Sequence, residues 1–438
     1  MKLKLFFSWC GFILMALALP QAAIAQTNYF WQTLVANGSS GFEGLGVDAS
    51  GNIYVADTLG NAIYEASLSG TNWNLTLLAG GTQGTNDGNG IAAQFNQPSG
   101  IAVQNSSTLF VVDTENNAIR EVQFNGTSWV VTTIAGICDP NGFGSDDGTN
   151  QSAQFTSPTG IAVDKQGNLY VADENNQIIR KIQPSGTNWI TTTIAGSVGN
   201  SGQADGTNLD SQFNYPAGLA VNASGDLFVA DNDNDVIREI VPIGTNWVTT
   251  TIAGTTINGL VPGFMDGTND VAEFNGPFGV AVDGLNNVYV ADTYNSCIRK
   301  ISLSGTNWIT RTIGGNGSGS ISLTDGTNIV AQFNTPYGIA VDVAGNVYVG
   351  DTQNNALRLG YLYPPSLQLV LGGNLATISY PFVLGTNFNF TLQSATNLHN
   401  PVWLNVTNQW QLTTNLIPFV KLGVTNKVPN RFFRLELP

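Results

Sequence analysis

The sequence predicts an all-β fold in which one four-stranded unit recurs six times, and three periodicities predict it. An Asp closing a short apolar run recurs as Asp57, Asp113, Asp173, Asp231, Asp292 and Asp351, at gaps of 56, 60, 58, 61 and 59 residues. Six residues after each Asp stands an aliphatic residue (Ile63, Ile119, Ile179, Ile237, Ile298, Leu357). The next residue is Arg120, Arg180, Arg238, Arg299 or Arg358, with Tyr64 in the first copy. A Trp opens a further run in step with them: Trp31, Trp73, Trp129, Trp189, Trp247 and Trp308. Self-similarity at such a period marks a repeat architecture. Four short strands per unit select a six-bladed β-propeller, in which radial repetition leaves only short, protected edges.

The copy from Pro158 to Ile182 shows how each strand is written. Ile161–Val163 and Leu169–Ala172 are short β-branched and aromatic runs, separated by the turn Lys165-Gln166-Gly167-Asn168. A third run, Ile178–Ile182, follows a polar turn opened by Asp173, and Ser185-Gly186-Thr187-Asn188 is a hairpin turn into the fourth, Trp189–Ala195. Between units lies an insertion with a fixed pattern: Asp87-Gly88 to Phe95 and Pro98, then Asp147-Gly148 to Phe155 and Pro158. It recurs as Asp205-Gly206 to Phe213 and Pro216, Asp266-Gly267 to Phe274 and Pro277, and Asp325-Gly326 to Phe333 and Pro336. The Asp-Gly reads as a turn, and the Phe as a plug between adjacent blades. The first unit lacks the insertion, so Trp31 and Trp73 are only 42 residues apart.

The last unit ends near Arg358-Leu359 without a Trp run, while an orphan run, Trp31–Ala36, stands near the start. This strand is expected to pair with the last blade and close the ring, because an open edge there would template aggregation.

These motifs, P-x-G-I-A-V-D, G-N-L-Y-V-A-D-x-x-N-x-x-I-R-K-I and D-G-T-N…A-Q-F-N-x-P, resemble the NHL-repeat propellers over residues 31–360. The resemblance implies a six-bladed ring and no single activity, since function must be read from the site. Phe42-Glu43-Gly44-Leu45 is similar to the first ligand segment of the gluconolactonase-like propellers. That resemblance implies a divalent-metal-dependent hydrolase using Glu43, with Ca²⁺ a suitable ion for oxygen ligands. The same family places an Asp before an inner-strand Gly in a later blade, where this chain has Ser99, Thr159, Ala217, Phe278 and Tyr337.

Residues 1–25 read as a secretory signal peptide: Lys2 and Lys4, an apolar core from Leu5 to Leu19, and Ala23-Ile24-Ala25 before the expected cleavage. The protein is therefore expected to be secreted, periplasmic or at the cell surface, without a transmembrane segment. Residues 26–363 form the propeller domain and carry 29 acidic against 9 basic residues. Such a ring repels phosphate backbones, so nucleic acid is excluded as a partner. Residues 364–438 hold one acid, Glu436, and four bases. Their alternating runs read as a small β-sandwich-like C-terminal module, for surface attachment, sorting or docking. No disulfide framework is expected from Cys138 and Cys297, which stand at non-equivalent positions.

Function is expected on the face that carries the insertions and the turns after each repeat Asp, since propellers place it on loops. The candidate ligand-binding residues are Ser99, Thr159, Tyr215, Phe278 and Tyr337, with the turn amides Asn116, Asn176, Asn234, Asn295 and Asn354. They suit a protein, peptide or glycan ligand, neutral or cationic. The only histidine, His399, lies outside the ring, so a Ser-His-Asp triad within it is excluded. No catalytic residue and no cofactor are assigned on this reading, which makes the chain a binding scaffold. The alternative hydrolase would hold its metal at Glu43, and the acids of Asp231-Asn232-Asp233-Asn234-Asp235 resemble a calcium loop without its Gly and Glu. The repeated Asp is expected to accept hydrogen bonds from its turn, and the Arg can pair with an acid of a neighbouring blade.

Overall fold

The structure, a computed structural model, describes residues 29–362 except 37–40, 71, 256–261 and 318–321, and beyond them the backbone of short strands between Gln368 and Glu436. The signal peptide expected at residues 1–25 lies outside the described residues. The C-terminal strands pair among themselves: Gln368–Gly372 with Leu375–Ser379, Thr391–Ala395 with Leu404–Asn405 and Phe432–Glu436, and Gln411–Asn415 with Ile417–Lys421. The sheet-on-sheet packing that a sandwich needs lies outside the described residues.

Six antiparallel sheets make the ring. Blade 3 shows the pattern, running outward from the axis as Pro158–Val163, Leu169–Asp173, Ile178–Ser185 and Asn188–Gly196. The innermost strands of the others are Phe42–Val47, Pro98–Asn105, Pro216–Val221, Pro277–Val282 and Pro336–Val341. Each touches the next, and Pro336–Val341 touches Phe42–Val47, so the ring closes. The second strand is buried along its whole length in every blade, because both of its faces meet a neighbouring sheet. That explains why these strands read as unbroken apolar runs. The core lies between blades: Phe110, Ile134 and Ala102 of blade 2 pack with Leu169, Ile161 and Ile182 of blade 3 around Phe155. The repeated Phe is thus an inter-blade plug.

The insertion does more than connect. Its Gly-Thr or Gly-Asn dipeptide adds a fifth strand to the outer edge of blades 2 to 6, as when Gly148 and Thr149 pair with Thr191 and Ile190. Blade 1, without an insertion, has four strands.

Closure is made by Tyr29–Ala36, which pairs antiparallel with Ala356–Leu362 as the outer strand of blade 6. The register corrects one reading of the sequence. Trp189 pairs with Pro184 and stands four residues before Thr193, whereas the residue at that position in the closing strand is Tyr29. Thr33 lies opposite Arg358 as Thr193 lies opposite Arg180, which fixes the alignment. Trp31 therefore stands where the other blades have Leu75, Val131, Thr191, Thr249 and Thr310.

Tyr29 does the work of the repeated Trp. Trp129, Trp189, Trp247 and Trp308 meet the aromatic residue of the preceding blade edge to face, at 6.4, 5.6, 5.8 and 6.0 Å between ring centroids. Tyr29 instead brings its hydroxyl to 3.2 Å from that of Tyr289.

Candidate binding site at the axial mouth

Blades 2 to 6 are each locked by an ion cluster that sets the loop face. In blade 3 the Arg180 guanidinium is fully buried. It donates from Nη1 to Asp173 Oδ2 and the Gln154 carbonyl, each at 2.8 Å. From Nη2 it donates to Asp147 Oδ1 at 3.0 Å and to the Asp146 carbonyl at 2.9 Å, with the Phe155 ring 4.9 Å from its centre. Arg120, Arg238, Arg299 and Arg358 repeat this with their own two acids. Both acids belong to the Arg's own sheet. The pairing with a neighbouring blade expected from the sequence is not what forms, because the insertion folds back onto the outer edge of the blade it precedes.

The turn amides belong to this cluster. Asn176 Nδ2 donates to Asp173 Oδ2 at 2.9 Å and to the Gly144 carbonyl at 2.6 Å. Asn116, Asn234, Asn295 and Asn354 do the same in their blades. The five amides proposed for ligand binding hold the loops to the blades instead. An amide three residues after a buried carboxylate in a tight turn is spent on that carboxylate.

The acids of the Asp231–Asp235 run are likewise kept apart. Asp231 is buried against Arg238, Asp233 is an exposed tip, and Asp235 Oδ1 accepts the Gly276 amide of the next blade at 2.8 Å. Shared ligation by these three, as the sequence suggested, does not arise. Among the described residues, no group of three His, Cys, Asp or Glu side chains is arranged to hold a metal ion.

Around the axis the inner strands approach so closely that only glycine fits. A Cβ on Gly44, Gly100, Gly160, Gly218, Gly279 or Gly338 would lie 2.1–2.3 Å from the carbonyl oxygen of Ser99, Thr159, Ala217, Phe278, Tyr337 or Glu43 of the next blade, in that order. This succession carries the rim residues Glu43, Ser99, Thr159, Ala217, Phe278 and Tyr337 round the mouth. Tyr215, named with them from the sequence, stands off this rim: it is 39% exposed, and its amide donates to Gln177 Oε1 at the seam with blade 3.

A second tier comes from the residue after each repeat Asp: Thr58, Thr114, Glu174, Asn232, Thr293 and Thr352. Most of these side chains latch blade to blade. Thr58 donates to the Pro98 carbonyl at 2.8 Å, Asn232 to Pro277 at 3.0 Å, Thr293 to Pro336 at 2.8 Å and Thr352 to Phe42 at 2.9 Å. Ser99 donates to the Thr159 carbonyl at 3.0 Å and also pairs with Thr114. At blade 3 the donor is replaced by Glu174, a carboxylate.

Two acids therefore face the mouth. Burial pushes Glu43 above the usual carboxylate range, and a hydrogen bond with Thr58 pulls it partly back. Burial pushes Glu174 up to about 7; Thr159 opposes this by hydrogen bonding, and the charges of Asp233 and Glu43 add to it. On the same rim Phe278 and Tyr337, the latter next to Glu43 in this succession, stack edge to face at 4.7 Å. The Tyr337 hydroxyl is pushed up to about 12 by burial first, then by Tyr294, Glu43 and Glu174. Sequence reading missed Glu174. The signal was there: it is the only charged residue among the six that follow the repeat Asp.

The NHL repeat family matches residues 155–182, 213–235 and 274–301, three segments that each begin at or beside the plug Phe. The chain is 36% identical over 154 residues to NHL repeat-containing protein 2 of Bos taurus, covering 33% of this chain and 21% of that protein. It is 26% identical over 339 residues to the Gallus gallus protein of the same name, covering 72% of this chain and 45% of that one. The chain thus spans less than half the length of these curated relatives. Among solved structures, an auxiliary nutrient binding protein of Bacteroides thetaiotaomicron superposes with a TM-score of 0.55 at 15% identity, covering 76% of each chain. That likeness is one of fold. The chain carries NHL repeats, and the matched segments fall in blades 3, 4 and 5 of its six-bladed β-propeller.

Proposed function

We propose that the propeller is a binding module whose ligand seats on the axial mouth and joins a positive charge to an apolar group, as a peptide presenting Lys or Arg does. The observation that carries this reading is the placing of Glu43 and Glu174 on the same rim as the Phe278–Tyr337 pair, with Tyr337 next to Glu43 and both carboxylates within electrostatic reach of its hydroxyl. Two half-buried carboxylates within electrostatic reach of one another are strained by their own burial, and a cation between them relieves it. The aromatic pair supplies apolar contact and cation–π attraction. We place this module outside the cytoplasm on the strength of residues 1–25, with residues 364–438 as its means of attachment.

Proton linkage gives the proposal a signature. A bound cation favours the ionised carboxylate, so binding below the Glu174 pKa must expel a proton, and affinity falls by up to about tenfold per pH unit there. Calorimetric titration of a Lys-bearing tripeptide, its side-chain-acetylated form and a neutral oligosaccharide tests it. The basic peptide is expected to bind more tightly at pH 8 than at pH 6, and Glu174→Gln and Glu43→Gln to weaken it. Equal binding of the acetylated peptide, or unchanged affinity in both variants, overturns the reading. Lactone hydrolysis lost in Glu43→Gln and on chelation would instead support the metal-dependent hydrolase.

A further inference from the structure

The outer strand of blade 1, Asn72–Gly80, is the one blade edge among the described residues that no fifth strand covers. Its hairpin with Ala62–Ser69 pairs Ser69 with Asn72 across a two-residue turn, so Asn72, Asn74 and Thr76 turn their backbone groups inward. Trp73, Leu75 and Leu77 then turn theirs outward. In the other blades these positions are answered, save the Trp129 amide of blade 2, where Gly90 stands in place of the insertion Asn. Trp189, Trp247, Trp308 and Tyr29 donate their amides to Asn150, Asn208, Asn269 and Asn328 of the insertion. Val131, Thr191, Thr249, Thr310 and Trp31, at the position of Leu75, pair with the insertion dipeptide and are buried. Thr133, Thr193, Thr251, Thr312 and Thr33, at the position of Leu77, donate their hydroxyls to the insertion Asp.

Blade 1 has lost this set together. It has no insertion, Tyr64 replaces the Arg, and Leu77 replaces the Thr. Leu75 is only half-buried where its counterparts are covered, and Leu77 is 38% exposed. An uncharged edge with outward leucines, no Pro or Lys, and a bulge only at Leu78 beyond them is what native sheets avoid unless it is paired.

We propose that this edge pairs with the same edge of a second copy of the chain, across a two-fold axis at Leu75. The outward groups are symmetric about that residue. Leu75 meets Leu75 of the second copy, and Trp73 meets Leu77, so every outward N–H and C=O finds a partner and the leucines of both copies share one face. A two-fold contact must be self-complementary in this way. Charge selects the same place. The other five outer edges each carry a half-exposed Asp (Asp87, Asp147, Asp205, Asp266, Asp325), which would face its like across any equivalent pairing, whereas Asn72–Gly80 has no charged residue.

Light scattering on the full chain, at concentrations from below to above micromolar, tests this. The wild type is expected to be a dimer. Leu75→Pro removes an outward amide that its own blade does not use, and Leu77→Lys sets like charges near the axis; both are expected to give monomers with unchanged thermal melts. A monomeric wild type, or a dimer that both variants leave intact, overturns the proposal. Should either variant melt well below wild type, hydrogen exchange on the wild type decides. Exchange at Leu75 and Leu77 that slows as protein concentration rises supports the pairing, and exchange independent of concentration overturns it.

Discussion

Trp31 lies directly opposite Gly360, and the indole fills the space that the glycine leaves. A Cβ on Gly360 would come within 2.6 Å of the ring, and a Cβ on Gly314 of blade 5 would come equally close from the other side. The indole N–H donates to the Ile313 carbonyl at 2.8 Å, and the ring meets Phe333 edge to face at 5.1 Å. The other blades fill the same cross-strand slot with Ile182 and Thr191, Ile240 and Thr249, Ile301 and Thr310, Val122 and Val131, or Ala66 and Leu75. Large faces small wherever the pair departs from the middle, as close packing requires. At the seam the trade is carried furthest, and it ties the closing strand to two blades at once.

Trp31→Ala is therefore expected to cost about 3–5 kcal/mol, and Gly360→Ile about 1–3 kcal/mol through overpacking. Trp31→Thr combined with Gly360→Ile recreates the pair of blades 3 to 5. Its cost should fall below the sum of the single changes by about 1–3 kcal/mol. Urea denaturation of the four proteins reads this coupling directly.

The ion clusters should be unequal in a definite order. Asp173→Ala leaves Arg180 buried with one acid gone and is expected to cost about 3–5 kcal/mol. Asp147, half-exposed, is expected to be worth about 1 kcal/mol or less. Asp57 has no Arg and accepts the Gly60 amide at 2.8 Å, so Asp57→Ala should fall between them, at about 1–2 kcal/mol. Thermal melts of the three variants rank them.

Glu174 makes stability depend on pH. Its pKa is about 7 in the folded chain against 4.5 for an ordinary glutamate. The folded state thus holds the proton more tightly than the unfolded one. The stabilisation that the proton confers is complete below the unfolded value and is lost as pH rises through about 7. Glu174→Gln, which cannot ionise and can donate as Asn232 does, should melt higher than wild type at pH 8, with the difference closing by pH 5. A gap that widens in acid would contradict this sign.

The crowding at the axis predicts that Gly160→Ala, whose Cβ would sit 2.3 Å from the Ala217 carbonyl, costs about 1–3 kcal/mol as an overpacked contact. It should also perturb ligand binding by shifting the neighbouring rim residue Thr159. Gly284→Ala, with nothing within 4 Å of the added methyl and no left-handed φ, is the control and should change little. Melting and the peptide titration report both effects.

Much of this was legible in the sequence because repetition multiplies each local signal. One Tyr-Val-Ala-Asp run is weak evidence for a strand, whereas registered copies specify a ring, its strand order and its closing strand. The limits of legibility have physical causes. Trp31 passed for a repeat Trp because its type matches, but its role is set by Gly360, more than three hundred residues away. Asn176 and its equivalents looked like free turn polar groups because the buried carboxylate they satisfy becomes visible only when the Arg folds beneath it. Glu174 was passed over because its neighbours in the tier are hydroxyls and an amide with structural tasks. It stands out only once those tasks are seen and its carboxylate is found unable to donate as they do.

Everything at the mouth depends on the ring being held shut by Tyr29–Ala36 against Ala356–Leu362. Hydrogen exchange measured by mass spectrometry reads this most directly. Backbone amides in residues 29–36 are predicted to exchange as slowly as those of Ile178–Ser185 in blade 3. Exchange at the rate of an unstructured chain there, with blade 3 still protected, would contradict it.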